Sequence, residues 1–286
     1  MKIYLPSFFT IPAAVVLAMT APPALAVALA SVEVVRLNFD VGTNGQPAPA
    51  IPNLGVEPDI QVDVVTQGGG VIVVAAGRPG NGHALDLPNH NGAASGSRGV
   101  VKVIDGDLGD GDALSPGLAS FTFGADFTLD AVNASTPYDA GNVLIQRGLS
   151  GSSDIFKIEI EQTASGPQPS CTLAQRVDET LTRTASVRSS VIIESTTGET
   201  LAWHRVRCTR QGSTLAIVVT PYNADGTAKT AVTTLKAGIP AIDLTWPTAA
   251  PVAPMAIGGK LTTAGAITSQ SDQFNGRIDN TVFVVD

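Results

Sequence analysis

Residues 203–208 read Trp203-His204-Arg205-Val206-Arg207-Cys208, and the apolar run Leu215–Val219 follows a short polar turn. Side chains alternate across an extended strand, so His204, Val206 and Cys208 share one face. The pattern predicts a β-strand with an apolar inner face and a charged outer face. We therefore expect His204 to be a core residue rather than a catalytic one.

Short β-branched runs separated by Gly, Pro, Asn, Asp and Ser continue along the rest of the chain. Their regular strand–turn spacing, without helical periodicity, is typical of an all-β sandwich. In residues 155–161 the alternation predicts that Phe156 faces the core and Glu159 faces water. The predicted strands are Val34–Phe39, Ile60–Val65, Val71–Ala76, Val100–Ile104, Phe121–Leu129, Val143–Gln146, Ile155–Glu161, Cys171–Ala174, Val187–Glu194, Trp203–Cys208, Leu215–Thr220 and Ile278–Val285.

The first 30 residues have the features of an export signal. Lys2 is the only charged residue before Glu33, an apolar run covers residues 11–19, and A-x-A cleavage sites end at Ala26 and Ala30. We predict a signal peptide over residues 1–30, secretion, and one domain over residues 31–286. An uncleaved membrane anchor is the alternative, but prolines interrupt the run before the roughly 20 apolar residues that a span needs.

The chain is acidic, with a formal net charge of −8 and no dense block of Lys or Arg. Nucleic-acid binding is not expected, because it requires positive charge facing the phosphates. The acidity also disfavours anionic polysaccharides as ligands. No apolar stretch after the signal is long enough to cross a bilayer, so we expect no membrane span once the signal is removed.

The chain has two cysteines, Cys171 and Cys208. An isolated pair in an exported protein most often forms one disulfide. Cys208 shares a strand face with Val206, and Cys171 shares one with Leu173, so both sulfur atoms are predicted to point inward. We predict a Cys171–Cys208 disulfide; two free buried thiols are the alternative.

Several motifs occur in the order found in laminin-G-like domains, and the chain resembles that family over residues 80–286. The resemblance implies a concanavalin-A-like jelly roll that mostly binds and only sometimes cuts, with structural roles for Trp203 and His204. One departure is the longer insertion at residues 219–226, and another is Thr281 within the last motif. The motifs are Phe121-Thr122-Phe123, Val143-Leu144-Ile145-Gln146-Arg147-Gly148, Trp203-His204-Arg205-Val206, Ile257-Gly258-Gly259 and Phe274-Asn275-Gly276-Arg277-Ile278-Asp279-Asn280.

The densest group of carboxylates lies in residues 105–112, where Asp105, Asp107, Asp110 and Asp112 alternate with glycines. Four hard oxygen ligands on a flexible loop suit Ca²⁺, which takes roughly six to eight oxygens. Many laminin-G-like domains hold calcium near a rim, which supports the same assignment. We predict a calcium site at these aspartates, with a solvated acidic turn as the alternative.

Sugar-binding faces usually combine aromatic platforms with polar groups, and aromatic residues make up only 5% of the chain. Trp246, Tyr222 and Tyr138 lie in predicted loops, so they are the candidate ligand-binding residues; loop anchoring is the alternative for each. No G-x-S-x-G motif is present, and the carboxylates Glu159 and Glu161 lack the third member of the jelly-roll glucanase pattern. No catalytic residue is assigned.

These observations predict a secreted, non-catalytic domain that recognises a carbohydrate or another extracellular ligand through rim loops, with possible help from calcium. An exported structural or cell-surface protein without a small ligand is the alternative. A glycosidase or lyase that acts on polysaccharides is the third hypothesis.

Overall fold

Sixteen β-strands and no helix are present in the residues that the computed structural model describes, which are 31–89, 96–130, 141–149, 154–196, 201–249, 251–268 and 272–286. These residues contain no helix long and apolar enough to span a membrane. The strands are β1 (Val32–Leu37), β2 (Ile60–Gln67), β3 (Val73–Ala76), β4 (His83–Asp86), β5 (Arg98–Asp105), β6 (Phe121–Asp130), β7 (Gly141–Arg147), β8 (Ile155–Thr163), β9 (Gly166–Arg176), β10 (Thr182–Arg188), β11 (Ser195–Thr196), β12 (Trp203–Gln211), β13 (Thr214–Pro221), β14 (Val232–Ala237), β15 (Met255–Ile257) and β16 (Gly276–Val285).

The strands form two sheets. The larger, nine-stranded sheet runs β14-β13-β12-β6-β16-β4-β3, with β1 paired to β16 and β11 paired to β6. The seven-stranded sheet runs β10-β9-β8-β7-β15-β5-β2. All pairings are antiparallel except that of the two-residue β11, so the predicted antiparallel two-sheet jelly-roll sandwich is confirmed. The first and last strands are neighbours, with Arg36 opposite Val282.

Aromatic rings from both sheets fill the centre of the sandwich. Phe123 of β6 lies with its ring centroid 4.9 Å from that of Phe156 of β8, and Phe156 lies 5.5 Å from Phe283 of β16. All three are fully buried. Alternation places these residues inward because every second side chain of a strand shares a face. The predicted inward position of Phe156 is confirmed.

The predicted Cys171–Cys208 disulfide is confirmed. Cys171 lies on β9 and Cys208 on β12, so the bond joins the two sheets across the core, with a Cα–Cα distance of 6.1 Å. His204, on the same face of β12 as Cys208, is buried, and its Nδ1 lies 3.1 Å from the carbonyl oxygen of Ala202. Burial lowers the pKa of His204 to about 4, so the imidazole is neutral at pH 7.

Strands β11, β14 and β15 were not predicted, and two further details of the strand prediction are wrong. The strand predicted at 187–194 ends at Arg188, because it runs along a part of β9 that contains Pro167 and Pro169, and proline has no N–H for a regular ladder. Glu159, predicted to face water, is only 8% exposed. Its carboxylate pairs with Lys157 at 2.5 Å, and this neutralisation offsets the free-energy cost of burying the charge.

Thr281 lies in a β-bulge of the last strand. The pairing of β16 with β6 shifts register between Asp279 and Val282, and Asn280 has a φ of 46°. Asparagine tolerates this left-handed conformation better than most residues. The departure from the family motif is therefore an inserted bulge residue, after which the alternation resumes with Phe283 inward.

Candidate functional site

A cavity opens at one end of the seven-stranded sheet. Antiparallel order brings the ends of β5 and β7 together with the starts of β2 and β15, as the pairings of Ile60 with Asp105 and of Met255 with Arg147 show. The chain segments that enter or leave these four strands form its walls. The site is thus a product of topology, because it gathers residues that are distant in sequence.

The cavity has a volume of about 480 Å³ and is lined mainly by polar groups. A smaller neighbouring cavity of about 160 Å³ shares Asp105 and Asp112 with it and also reaches Arg147. Among the described residues, the lining of the larger cavity is Glu57, Asp59, Asp105, Asp110, Gly111, Asp112, Ala113, Ser115, Thr245, Trp246 and Thr248.

The acidic loop holds its shape through side-chain to backbone hydrogen bonds. The two carboxylate oxygens of Asp105 accept hydrogen bonds from the backbone N–H groups of Asp107 (3.1 Å) and Ala113 (2.8 Å), and Asp107 accepts one from Gly109 (2.8 Å). Asp and Asn side chains commonly stabilise turns in this way. The Asp–Gly alternation therefore builds a defined loop at the cavity mouth.

A buried ion pair forms the inner wall. The guanidinium of Arg147 pairs with the carboxylate of Asp112, and each side chain is only 1% exposed. Arg147 Nε donates to the carbonyl oxygen of Ala253 at 2.9 Å, and its guanidinium carbon lies 4.3 Å from the ring centroid of Trp246. Burial lowers the pKa of Arg147 from its ordinary value, and the charge of Asp112 opposes that change.

Two hydrogen-bond donors in this wall have no protein acceptor. Nη1 of Arg147 and Nε1 of Trp246 are buried and lack a partner among the described residues. The two side chains are 1% and 4% exposed. A buried donor without an acceptor costs about 1–3 kcal/mol, so most such groups in native proteins have one. Both residues line the cavities, which makes a bound acceptor their natural partner.

Trp246 therefore lies at the predicted site, but in a different role. Its ring packs edge-on against Phe156 at 5.8 Å and is covered by Arg147, so it is buried wall rather than an exposed stacking platform. The indole packs into a cluster of buried aromatic and aliphatic side chains, although it lies on a loop that the sequence shows only as Pro-rich. The indole N–H is buried and has no acceptor among the described residues.

Asp105, Asp110 and Asp112 line the same cavity as Trp246, so two groups predicted separately meet at one place; Asp107 is absent from the lining. The four aspartates do not converge on one point: within the described ranges, no group of three or more His, Cys, Asp or Glu residues is arranged to hold a metal ion. Asp112 is neutralised by Arg147.

Tyr222 lies elsewhere, on the outer face of the nine-stranded sheet. It is 9% exposed, and the guanidinium carbons of Arg78 and Arg205 lie 4.2 Å and 5.9 Å from its ring centroid. Its ring is therefore covered rather than open to a sugar. Tyr138, the third predicted platform, is outside the residues that the structure describes.

The same outer face carries a buried polar network that the sequence did not predict. Asp126 of β6 is fully buried and accepts two hydrogen bonds from Arg205 of β12, at 2.6 and 2.9 Å. Arg78 and Arg207 approach the same carboxylate at 3.8 and 3.9 Å. In β6, Asp126 lies on the opposite face from the phenylalanines, beside the charged face of residues 203–208. These two features of the sequence could have indicated the buried network.

Asp279 lies next to Asp126 across the β16–β6 pairing. It accepts hydrogen bonds from Asn81 Nδ2 at 2.7 Å and from the backbone N–H of Asn280 at 2.7 Å. Burial raises the pKa of Asp279 to about 7; the hydrogen bonds from Asn280 and Asn81 oppose this increase, and the charges of Asp126 and Asp40 add to it. Both carboxylates are 0% exposed, so this network is a structural element beneath surface loops.

The fold is similar to those of several solved structures. The botulinum neurotoxin serotype G binding domain superposes with a TM-score of 0.50 at 10% identity, over 88% of this chain and 47% of that chain. The enzymatically active domain of bacteriophage CBA120 tailspike protein 2 gives 0.46 at 10% identity, over 85% and 29%. Peanut lectin gives 0.38 at 15% identity, over 90% and 98%.

The superposition with a TM-score of 0.50 supports a shared fold and nothing finer, and this chain spans about half the length of the neurotoxin structure that it matches. No protein-family model and no curated protein sequence matches the chain. The protein is thus an all-β, antiparallel two-sheet jelly-roll sandwich with an acidic cavity at one end.

Proposed function

We propose that the chain is a secreted, non-catalytic domain of laminin-G-like type that binds a carbohydrate in the cavity at the ends of β5 and β7. The observation that carries the proposal is an unpartnered buried donor, Trp246 Nε1, beside carboxylates in one polar cavity; Arg147 Nη1, also unpartnered, belongs to the smaller neighbouring cavity. A sugar hydroxyl accepts one hydrogen bond while donating another, so it matches both kinds of group. A purely apolar ligand matches neither.

The size and lining of the cavity support a ligand of this class. A volume of about 480 Å³ lies in the ordinary range of small-molecule sites. Ser115, Thr245 and Thr248 add hydroxyl groups to the lining. The exposed and partly exposed carboxylates at the mouth repel uronic or sialic acid sugars, which fits the acidity of the whole chain.

Replacing Trp246 with Phe tests the proposal most selectively, because Phe keeps an aromatic ring against Phe156 and Arg147 but lacks the N–H donor. We expect carbohydrate affinity, measured by calorimetry on a glycan selected by array screening, to fall about tenfold for the loss of one buried hydrogen bond. Trp203→Phe is the matched control, since Trp203 packs with Ala84 and Tyr222 on the outer face. Equal affinities for the two variants contradict the proposal.

The calcium prediction has its own test. If Ca²⁺ binds the loop at Asp105, Asp107, Asp110 and Asp112, millimolar calcium raises the melting temperature above that in EGTA, because a ligand that binds only the folded state stabilises it. The double variant Asp107→Asn/Asp110→Asn is expected to lose the increase. A melting temperature that is the same with calcium and with EGTA removes the metal from the proposed function.

A further inference from the structure

The cavity has a marked imbalance of charge. Of its five lining carboxylates only Asp112 is ion-paired, with the buried Arg147. In the described part of the chain, no hydrogen bond or ion pair engages the side chains of Glu57, Asp59 or Asp110, and no lysine or arginine lines the larger cavity. Neighbouring carboxylates with no cation between them repel one another, so a bound positive charge stabilises them.

The buried donors add a second and independent requirement. Trp246 Nε1, in the wall of the larger cavity, and Arg147 Nη1, in the wall of the smaller one, each need an acceptor, and both side chains are more than nine-tenths buried. An ammonium group has no acceptor to offer, and neither has a metal ion. One ligand that satisfies the whole lining therefore carries a cationic group and several oxygen atoms.

Building on the proposed function, we infer that the ligand is an amine-bearing carbohydrate. Its ammonium group lies among Glu57, Asp59 and Asp110 at the mouth of the cavity, and one of its hydroxyl oxygens accepts a hydrogen bond from the Trp246 indole at the inner wall. The ammonium supplies the positive charge that the carboxylates lack, without a metal. Arg147 stays paired with Asp112.

A matched series of oligosaccharides isolates the ammonium group. Glucosamine, N-acetylglucosamine and glucose oligomers of equal length and β-1,4 linkage differ only at the second carbon of each ring, which carries an ammonium, an acetamide or a hydroxyl. We measure binding to the whole domain by calorimetry at pH 6, in EGTA and again with millimolar calcium, at low and at moderate salt. We expect the glucosamine oligomer to bind at least tenfold more tightly than the other two, with an advantage that shrinks as salt screens the charges.

The double variant Asp59→Asn/Asp110→Asn is expected to reduce the affinity for the glucosamine oligomer to that for the glucose oligomer. Both side chains lie on exposed residues, so folding is preserved, and Asp63→Asn/Asp225→Asn is the control outside the cavity lining. Spermine, which has amines but no hydroxyls, is expected to bind more weakly than the glucosamine oligomer.

Three results overturn the inference while leaving carbohydrate binding intact: equal affinity across the series, binding that requires calcium, and no effect of the double variant. Spermine binding as tight as that of the glucosamine oligomer overturns the role assigned to the hydroxyls. Absence of binding by every oligosaccharide, charged or neutral, contradicts the proposed function itself.

Discussion

Arg147→Met is expected to lower the free energy of unfolding by about 3–5 kcal/mol, because removing one member of a buried ion pair leaves the other charge buried without compensation. The affected charge is Asp112, whose side chain is 1% exposed and retains only Ser115 Oγ at 3.0 Å and the backbone N–H of Leu114 at 3.1 Å. Urea unfolding monitored by tryptophan fluorescence measures the change, since Trp246 packs against Arg147.

A double-mutant cycle separates charge from packing. The variant Arg147→Met/Asp112→Asn has no buried charge at this position, so we expect it to be more stable than Arg147→Met alone. Arg188→Met is the surface control: Arg188 pairs with Glu161, its side chain is 49% exposed, and its removal is expected to cost less than about 1 kcal/mol. Similar losses for Arg147→Met and Arg188→Met contradict the account of the cavity wall.

Asp279→Asn is expected to change the pH dependence of stability. The pKa of Asp279 is about 7 in the folded protein against 3.8 as the ordinary value, so between these pH values the folded state holds a proton that the unfolded state has lost. Stability therefore falls as pH rises from about 4 to 7. The difference between these two pKa values corresponds to about 4 kcal/mol.

The difference in unfolding free energy between wild type and Asp279→Asn isolates this contribution. We expect wild type to lose about 4 kcal/mol relative to the variant between pH 4 and pH 8. His204, whose pKa is lowered to about 4, acts in the opposite direction, because stability is lost as pH falls below 6.5 and the unfolded imidazole takes up a proton. The two contributions partly cancel in wild type. In Asp279→Asn, the pH dependence of the unfolding free energy that is due to His204 therefore becomes visible.

Asp225→Asn is the control for this experiment. Hydrogen bonds from Thr227 lower the pKa of Asp225 below its ordinary value, so its carboxylate is ionised in both states between pH 5 and pH 8. Its replacement is expected to leave the pH dependence unchanged over that range. The stability difference between wild type and Asp279→Asn could also be constant with pH. That result contradicts the raised pKa described for the buried carboxyl of Asp279.

The fold follows from the sequence because alternation fixes which side chains face inward. The parity of Cys171 and Cys208 predicts two inward sulfur atoms, and the structure joins them across the sheets. Alternation also places Phe156 in the core. The positions of the prolines could have predicted where the strand at 187–194 ends, because Pro167 and Pro169 restrict regular hydrogen bonding beside residues 189–194.

The site follows from the sequence only in part, because it depends on tertiary pairing. Asp105 and Asp112 were identified from composition, but local periodicity gives no sign that Arg147, 35 residues after Asp112, pairs with it. Residues 240–254 look like a surface loop, whereas Trp246 folds under Arg147 and into the core. Burial of a single loop residue depends on what covers it, which no local pattern contains.

The central claim is that a carbohydrate hydroxyl accepts a hydrogen bond from Trp246 in the cavity. The chain has two tryptophans, so a ¹⁵N-labelled sample gives two indole N–H signals, which Trp203→Phe assigns. In a titration with the glycan selected by array screening, the account predicts that the Trp246 signal moves downfield to saturation while the Trp203 signal stays in place. A Trp246 signal that does not move when the glycan is bound contradicts it.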